Sequence, residues 1–197
     1  MQEASRLRSL CVFCGASTGA GPQFRDQTAR LGRLLAEAGV TLVYGGGNIG
    51  LMGILAESVI AAGGKVIGVI PEHLRSVELP FREASEMIVV DSMHSRKQKM
   101  FDLADAFCVL PGGLGTLDET FEILTWRQLR LHDKPVVLVN VDGYWNAWLD
   151  LVEGIIANGF AQPTVENLFT VVETADEVLA AAEGRMIAVP VSDSRLF

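Results

Sequence analysis

The chain has 197 residues, a formal net charge of -8 and a hydrophobic fraction of 49%. This size suits one globular domain, and the acidic balance argues against a general electrostatic grip on nucleic acid. No apolar run reaches the roughly 20 residues of a membrane span, and the first residues lack the apolar segment of a secretory signal. We therefore expect a cytoplasmic protein that binds neither nucleic acid nor membrane.

Apolar runs alternate with helical patterns along the chain. Strands are predicted at 9–15, 41–44, 65–70, 87–90, 106–110, 135–139 and 169–172. Helices are predicted from Pro22 to Gly39, from about Ile49 to Gly63, at 94–104, from the loop at 111–116 to about His132, at 144–158 and at 175–183. Apolar strands that alternate with helices are typical of a doubly wound α/β fold with a mainly parallel sheet and helices on both faces. We expect a single domain over 1–197, ordered over about 9–183, with a loosely held tail.

A glycine-rich loop, 111–116, separates a buried strand from a long helix. Glycines are costly to order, and bare backbone at a helix N-terminus is suited to binding an anion. The loop therefore predicts a phosphate cradle made by Gly112, Gly113, Gly115 and Thr116. The alternative is a structural turn in which Thr116 caps the helix and Glu119 completes a capping box. In the cradle interpretation, Glu119 would avoid the phosphate and face the neighbouring sugar.

A second glycine run, Gly45 to Gly50, matches G-x-G-x-x-G after a strand and before a helix. Glu72 follows 22 residues beyond Gly50, near the position of a ribose-binding acid in a dinucleotide site. The run follows the second strand, however, whereas the dinucleotide fingerprint normally follows the first. An NAD-dependent enzyme therefore stays a minor alternative, and Gly46 and Gly47 are candidates for close approach to another ligand.

A basic pair, Arg96 and Lys97, lies near the start of a predicted helix. A cation is disfavoured there by the helix dipole, so an anionic ligand or a carboxylate such as Glu119 would compensate for it. We predict a functional role for Arg96 and, less firmly, for Lys97. Ser17, in the loop after the first strand, is a candidate for ligand binding or helix capping.

The C-x-x-C of Cys11 and Cys14 invites a metal or redox interpretation. Residues three apart in a strand face opposite sides of the sheet, so we expect both to be plain buried cysteines. Cys108, in another strand, has the same interpretation. No metal-ligand spacing relates the histidines at 73, 94 and 132, and no catalytic metal is predicted.

The stretch from Pro111 to Glu119 resembles the P-G-G-x-G-T-x-x-E signature of the Lonely Guy family of cytokinin riboside 5′-monophosphate phosphoribohydrolases. The supporting matches are at 45–53, 68–72 and 93–97. The resemblance covers about 9–180. It implies a Rossmann-like fold, a homodimer, no cofactor, and Arg96 and Glu119 as the catalytic pair. Proteins of this family have been labelled lysine decarboxylases, but that chemistry usually needs a pyridoxal-binding lysine, and no lysine stands near the glycine loops.

The resemblance also implies a reaction, the hydrolysis of the N-glycosidic bond of an adenine-type nucleoside 5′-monophosphate. The products would be the free base and ribose 5-phosphate. Glu72 is a third catalytic candidate, and Met93 is a further substrate-binding candidate within the second motif. A noncatalytic nucleotide carrier or sensor remains a competing interpretation, as does the NAD-dependent oxidoreductase.

Overall fold

The computed structural model describes residues 7–75, 81 and 83–187, which form a seven-stranded sheet flanked by helices. The strands are β1 (Ser9–Phe13), β2 (Thr41–Tyr44), β3 (Val66–Pro71), β4 (Glu86–Val90), β5 (Ala106–Val109), β6 (Val136–Val139) and β7 (Thr170–Val172). The helices are α1 (Pro22–Ala38), α2 (Gly50–Ala61), α3 (Met93–Leu103), α4 (Leu114–Gln128), α5 (Asn146–Ala157) and α6 (Val178–Ile187). Short 3₁₀ turns lie at 72–74, 141–143, 163–168 and 175–177.

The sheet is parallel throughout and has the order β4-β3-β2-β1-β5-β6-β7. Apolar side chains of the strands divide between two buried clusters, one against α1, α2 and α6 and the other against α3, α4 and α5. Both faces of the sheet are therefore covered, which is why the strands read as continuous apolar runs. The prediction of a doubly wound α/β fold is confirmed.

The strand order reverses between β1 and β5, which pair through Leu10 and Ala106 and the three positions that follow. Successive strands continue from β1 toward β4 on one side, and from β5 toward β7 on the other. The loops after β1 and β5 consequently turn away from each other and leave a crevice at the carboxyl edge of the sheet. In doubly wound folds this switch point is where ligands bind.

Most predicted boundaries lie within a few residues of the observed ones, and the largest differences are at the C-terminal ends of α4 and α6. Helix α4 was predicted to reach about His132, but it ends at Gln128. Arg130 takes a positive φ of 59°, a left-handed conformation that stops an α-helix. The last helix, α6, continues to Ile187, beyond the predicted end at 183. The rest of the predicted loose tail, 188–197, lies outside the described residues.

The cysteines are reduced and buried, as predicted. Cys11 packs in the cluster under α3, α4 and α5, whereas Cys14 packs in the opposite cluster, so the two sulfurs lie on different faces of the sheet. Burial raises the pKa of each thiol, Cys108 included. Within the described residues, no helix combines the length and the apolar character needed to cross a membrane.

Candidate functional site

A cleft with two adjoining lobes lies at the switch point, and both lobes are bordered by Gly15, Ala16 and Gly113. The first, which we call the aromatic lobe, has a volume of about 500 Å³ and is bordered also by Ser17, Thr18, Phe24, Leu51 and Tyr144. The second, the carboxylate lobe, has a volume of about 270 Å³ and is bordered also by Cys14, Met93, Arg96, Thr116, Asp118 and Glu119. The aromatic lobe alone falls within the size range of small-molecule sites.

Backbone hydrogen bonds fix the loops that border the cleft. The Gly15 amide donates to the Pro111 carbonyl at 3.0 Å, and the Leu51 amide donates to the Gly15 carbonyl at 3.0 Å. The ends of β1 and β5 and the start of α2 are therefore joined directly below the cleft. Because these hydrogen bonds are between backbone groups, they do not depend on which side chains border the cleft.

The glycines of the 111–116 loop differ in whether packing within the chain requires them. A Cβ at Gly112 would lie 2.1 Å from the Thr116 hydroxyl and 3.0 Å from the Gly15 nitrogen, so packing within the chain requires a glycine there. At Gly113 and Gly115 a Cβ would meet no described atom within 4 Å, and neither residue has a positive φ. Both border the carboxylate lobe. No contact within the described chain explains these two glycines, whereas a ligand close to the backbone would.

The capping-box interpretation of Thr116 and Glu119 is wrong. The helix begins at Leu114 with Gly113 as its N-cap, and no described side chain caps it. Thr116 is therefore inside the first turn and is only 4% exposed, and Glu119 is one turn further along. The first amides of α4 have no partner within the helix, which leaves donors and a positive dipole end at the border of the cleft.

Arg96 reaches the carboxylate lobe from α3, whose N-cap is Ser92. Its side chain is 4% exposed, and one guanidinium nitrogen donates to the Gly45 carbonyl at 2.8 Å. A Cβ at Gly45 would lie 2.0 Å from that nitrogen. Gly45, the first glycine of the Gly45–Gly50 run, is therefore needed because a larger side chain would block the arginine from the end of β2.

Two further glycines of this run are used in contacts within the chain. Gly46 and Gly50 have positive φ values of 80° and 62°. A Cβ at Gly50 would lie 2.2 Å from the Ala16 carbonyl carbon, and one at Gly46 would lie 3.2 Å from Ile70. The conformations and close contacts of Gly46 and Gly50 are therefore explained without a bound dinucleotide. Gly46 and its neighbour Gly47 are buried beside the cleft rather than on its described surface.

Glu119 borders the carboxylate lobe on the side of α4. Its negative charge is close enough to the floor of the lobe to act on Cys14, where burial first and Glu119 second raise the pKa of the thiol. The lobe therefore brings together an arginine, a carboxylate and the N-terminus of α4. These groups come from α3 and α4, on the two sides of β5 in the chain.

Of the other predicted site residues, two border the cleft and two are not among its described lining residues. Ser17 borders the aromatic lobe and Met93 the carboxylate lobe. Lys97 is not among the described lining residues, because its ammonium contacts Asp118 and Glu122 on α4. Glu72, which is 65% exposed, binds the Arg75 guanidinium at 3.1 Å. The roles of all these residues in binding or catalysis stay predictions.

The sequence analysis did not find the aromatic border of the cleft. Tyr144 follows β6, and its hydroxyl donates to the Gly112 carbonyl at 2.6 Å. Its ring lies edge-on to Phe24 of α1, with 5.5 Å between the ring centroids. The one signal available was position, since Tyr144 follows the carboxyl end of a strand adjacent to β5. Phe24 comes from a helix start remote in sequence, and no pattern marks it.

The donor set does not suggest a metal or a pyridoxal site. Within the described part of the chain, no three His, Cys, Asp or Glu side chains converge as metal ligands. No lysine is among the described residues that border the cleft. What the cleft presents is the N-terminus of α4 beside a buried arginine and a carboxylate. Fold and site together define a Rossmann-like protein with a nucleotide-type cleft at its switch point.

Sequence comparisons give the family. Residues 52–182 match the family model described as "Possible lysine decarboxylase". LOG3 of Arabidopsis thaliana, a cytokinin riboside 5′-monophosphate phosphoribohydrolase, is 43% identical over 92% of this chain and 84% of its own. The probable enzyme LOGL9 of Oryza sativa subsp. japonica is 48% identical over 84% of this chain and 73% of its own. The chain belongs to this family of LOG phosphoribohydrolases.

Solved structures support the fold. A molybdenum cofactor carrier protein from Chlamydomonas reinhardtii superposes with a TM-score of 0.71 and 20% identity, over 93% of this chain and all of the other. A molybdenum cofactor binding protein from Rippkaea orientalis gives a TM-score of 0.67 and 23% identity, over 89% of this chain and 95% of the other. At this identity the likeness concerns the architecture alone.

Proposed function

We propose that this protein hydrolyses the N-glycosidic bond of adenine-type nucleoside 5′-monophosphates, namely AMP and cytokinin riboside 5′-monophosphates. Water adds to C1′ of the ribose, the bond from C1′ to the base nitrogen breaks, and its electron pair leaves with the base, which takes up a proton. The products are the free base and ribose 5-phosphate. One observation carries the proposal: Glu119 and Arg96 border the same lobe as the open glycines of α4.

The phosphate is placed by the backbone of α4. Gly113 and Gly115 leave the surface open, and the first amides of the helix supply donors and a partial positive charge. The binding energy comes from charge-assisted hydrogen bonds, which are stronger than those between neutral groups. A local anion site of this kind reconciles a phosphate ligand with a chain of net charge -8.

The position of Glu119 follows from the same helix. It is four residues beyond Gly115, so the two lie on one face, about 6 Å apart along the helix axis. A phosphate at Gly115 therefore brings its own ribose toward the Glu119 carboxylate. Positive charge develops on the ribosyl centre as the glycosidic bond breaks, and a carboxylate at that point stabilises the charge or activates the attacking water.

Arg96 has a fixed position at the back of the lobe. Its guanidinium is buried and bonded to the Gly45 carbonyl, so the group is pre-organised and loses little side-chain entropy during the reaction. In this proposal Arg96 holds the Glu119 carboxylate in place or contacts the nucleotide. Either role needs the positive charge at that point, and with a neutral residue there the only charged side chains among those described around the lobe would be acidic.

A chromatographic assay tests the proposed reaction. The protein is incubated with AMP and with N6-isopentenyl-AMP, without metal or cofactor, and free base and ribose 5-phosphate are measured. We expect both products in equal amounts, and we expect Glu119→Gln to lower kcat by about 10²- to 10⁴-fold with a smaller change in KM. Glu153→Gln is the matched control, because Glu153 is exposed on α5 away from the cleft.

The same assay separates the competing functions. Binding of AMP with no base release, in a properly folded protein, would favour the nucleotide carrier or sensor. Binding of NAD in a titration would favour the oxidoreductase. Unchanged turnover in Glu119→Gln would end the catalytic assignment of Glu119. The ratio of the rates with the two nucleotides decides which substrate is preferred.

We also propose that the chain forms a homodimer, as the family resemblance implies. Exposed apolar side chains support a partner surface along α4 and just beyond it. Phe121 is 37% exposed, Leu129 is 47% exposed and Leu131 is 66% exposed. Light scattering at two protein concentrations tests the proposal, and a mass equal to 21.3 kDa at both would contradict it.

A further inference from the structure

A three-residue ion-pair cluster joins α3 to α4 beside the proposed active site. The Lys97 ammonium lies 3.1 Å from an Asp118 carboxylate oxygen and 2.9 Å from a Glu122 carboxylate oxygen. Asp118 and Glu122 are four residues apart, so they present their carboxylates from one face of α4. We call this cluster the lysine clamp. It lies next to the cleft, since Asp118 borders the carboxylate lobe.

The clamp is one end of a longer seam between the two helices. Four residues beyond Lys97, Phe101 packs edge-on against Trp126, with 5.1 Å between the ring centroids. Trp126 is itself four residues beyond Glu122. The seam is therefore polar at the cleft and aromatic one turn below it. Loss of the polar end leaves the aromatic end in place, so the helices stay packed while their cleft ends become less constrained.

The clamp is better shielded from solvent than an ordinary surface ion pair. The side chains of Lys97 and Glu122 are only 17% and 22% exposed, whereas that of Asp118 is 62% exposed. Burial alone would lower the pKa of Lys97, but the hydrogen bonds to Glu122 and Asp118 outweigh it and raise the pKa. The ammonium is therefore charged at neutral pH and held by both carboxylates. A lysine used in this way is not available as a flexible phosphate ligand.

Two of the three clamp residues are sequence neighbours of the two proposed catalytic residues. Lys97 follows Arg96 on α3, and Asp118 precedes Glu119 on α4. We propose that Lys97 is a positioning residue that ties α3 to α4 and so fixes Arg96 and Glu119 relative to each other. This inference rests on the proposed function. It replaces the sequence prediction that Lys97 binds the substrate directly.

The two roles predict opposite behaviour for Glu122. If Lys97 binds substrate, Glu122→Gln frees the ammonium for the nucleotide, so KM stays the same or falls and kcat is unchanged. If Lys97 positions the helices, Glu122→Gln loosens the same contact as Lys97→Met, and kcat falls in both variants. Glu122 is not among the described residues that border the cleft, so this variant leaves the charge of the lobe surface unaltered.

The experiment measures kcat and KM for base release from AMP or N6-isopentenyl-AMP, whichever the wild type hydrolyses faster. The variants are Lys97→Met, Lys97→Arg and Glu122→Gln. Lys99→Met is the matched control, because Lys99 is on the same helix but about 200° further round its axis. A misplacement of about 1 Å can cost on the order of 10²-fold in rate, so we expect kcat to fall about 10- to 100-fold in Lys97→Met. We expect a smaller fall in Glu122→Gln and near-normal kcat in Lys97→Arg and Lys99→Met.

The outcomes are distinct. An active wild type with unchanged kcat in both Lys97→Met and Glu122→Gln overturns the clamp and leaves the proposed function standing. A raised KM with normal kcat in Lys97→Met, and no effect of Glu122→Gln, restores the substrate-binding role. A wild type that releases no base from any nucleotide overturns the proposed function itself. If Lys97→Met fails to fold, Glu122→Gln still decides between the two roles, because a fall in kcat supports positioning and an unchanged kcat overturns it.

Discussion

The substitution Gly115→Ala tests whether the glycine at 115 is required for ligand binding or for the fold. An alanine Cβ at 115 would meet no described atom within 4 Å, and the residue is already helical. Alanine is favoured over glycine in a helix by about 0.8–1 kcal/mol, so we expect the free energy of unfolding to rise by about 0.5–1 kcal/mol so close to the helix end. For a chain of this size the midpoint of thermal unfolding should rise by about 1–4 °C.

Substrate binding should change in the opposite direction. The new methyl group would occupy the open surface at the start of α4 and keep the phosphate from the backbone amides. Loss of one hydrogen bond to a charged group costs about 1.5–3 kcal/mol, which corresponds to a KM raised by about 10- to 150-fold. Thermal unfolding and steady-state base release measure the two effects on the same preparation.

The matched control is Gly154→Ala in the middle of α5, where a Cβ also meets no described atom within 4 Å. This variant should show a similar or larger gain in stability, with an unchanged KM. A Gly115→Ala protein that keeps the wild-type KM would refute the phosphate cradle. A Gly115→Ala protein that is clearly destabilised would refute the claim that glycine is not needed there by the fold.

Three further predictions rest on one hydrogen bond and on the burial of titratable side chains. Tyr144→Phe removes the hydrogen bond to the Gly112 carbonyl and should raise KM by about 3- to 10-fold, a net hydrogen bond being about 1 kcal/mol; steady-state kinetics with an unchanged KM would contradict it. Burial lowers the pKa of His132, so the stability linked to its neutral form is complete above its ordinary value of 6.5 and is lost as the pH falls below that. Urea unfolding at several pH values should therefore show a shallower loss in His132→Gln than in the wild type. Cys11 and Cys108 are 0% exposed and their thiol pKa values are raised, so they should react with Ellman's reagent only after denaturation, and rapid labelling of either in the native protein would show an open core.

The proposed chemistry depends on a division of labour between two helices. In this proposal the backbone of α4 binds the phosphate, and the second turn of the same helix carries Glu119. The guanidinium of Arg96 comes from α3 and is anchored at the end of β2 by the Gly45 carbonyl. Catalysis in this arrangement needs a fixed relation between α3 and α4. Contacts that define that relation, such as the lysine clamp, matter as much as the groups that touch the substrate.

Much of this protein was determined locally, and those features were predictable from the sequence. Apolar runs bounded by Gly and Pro gave the strands within one or two residues at most ends, because a doubly covered parallel strand has no polar face. The glycines after β5 indicated the cleft, because bare backbone at a helix start has few other uses. The opposite orientation of Cys11 and Cys14 followed from the two-residue period of a strand.

Other features needed the tertiary structure, since they depend on residues that are remote in sequence. In the sequence, Gly45 matched part of a dinucleotide fingerprint. In the fold, the Arg96 guanidinium lies against Gly45, and this contact explains the glycine. Thr116 matched a helix cap in sequence, but the helix begins earlier, at Leu114. The pairing of Lys97 with Glu122 and the approach of Tyr144 to Gly112 arise only when strands and helices are packed. The local sequence pattern determines which helices and strands form and where glycines leave the backbone uncovered. Contacts between side chains that are about 20 to 100 residues apart are decided only by the packing of the whole chain.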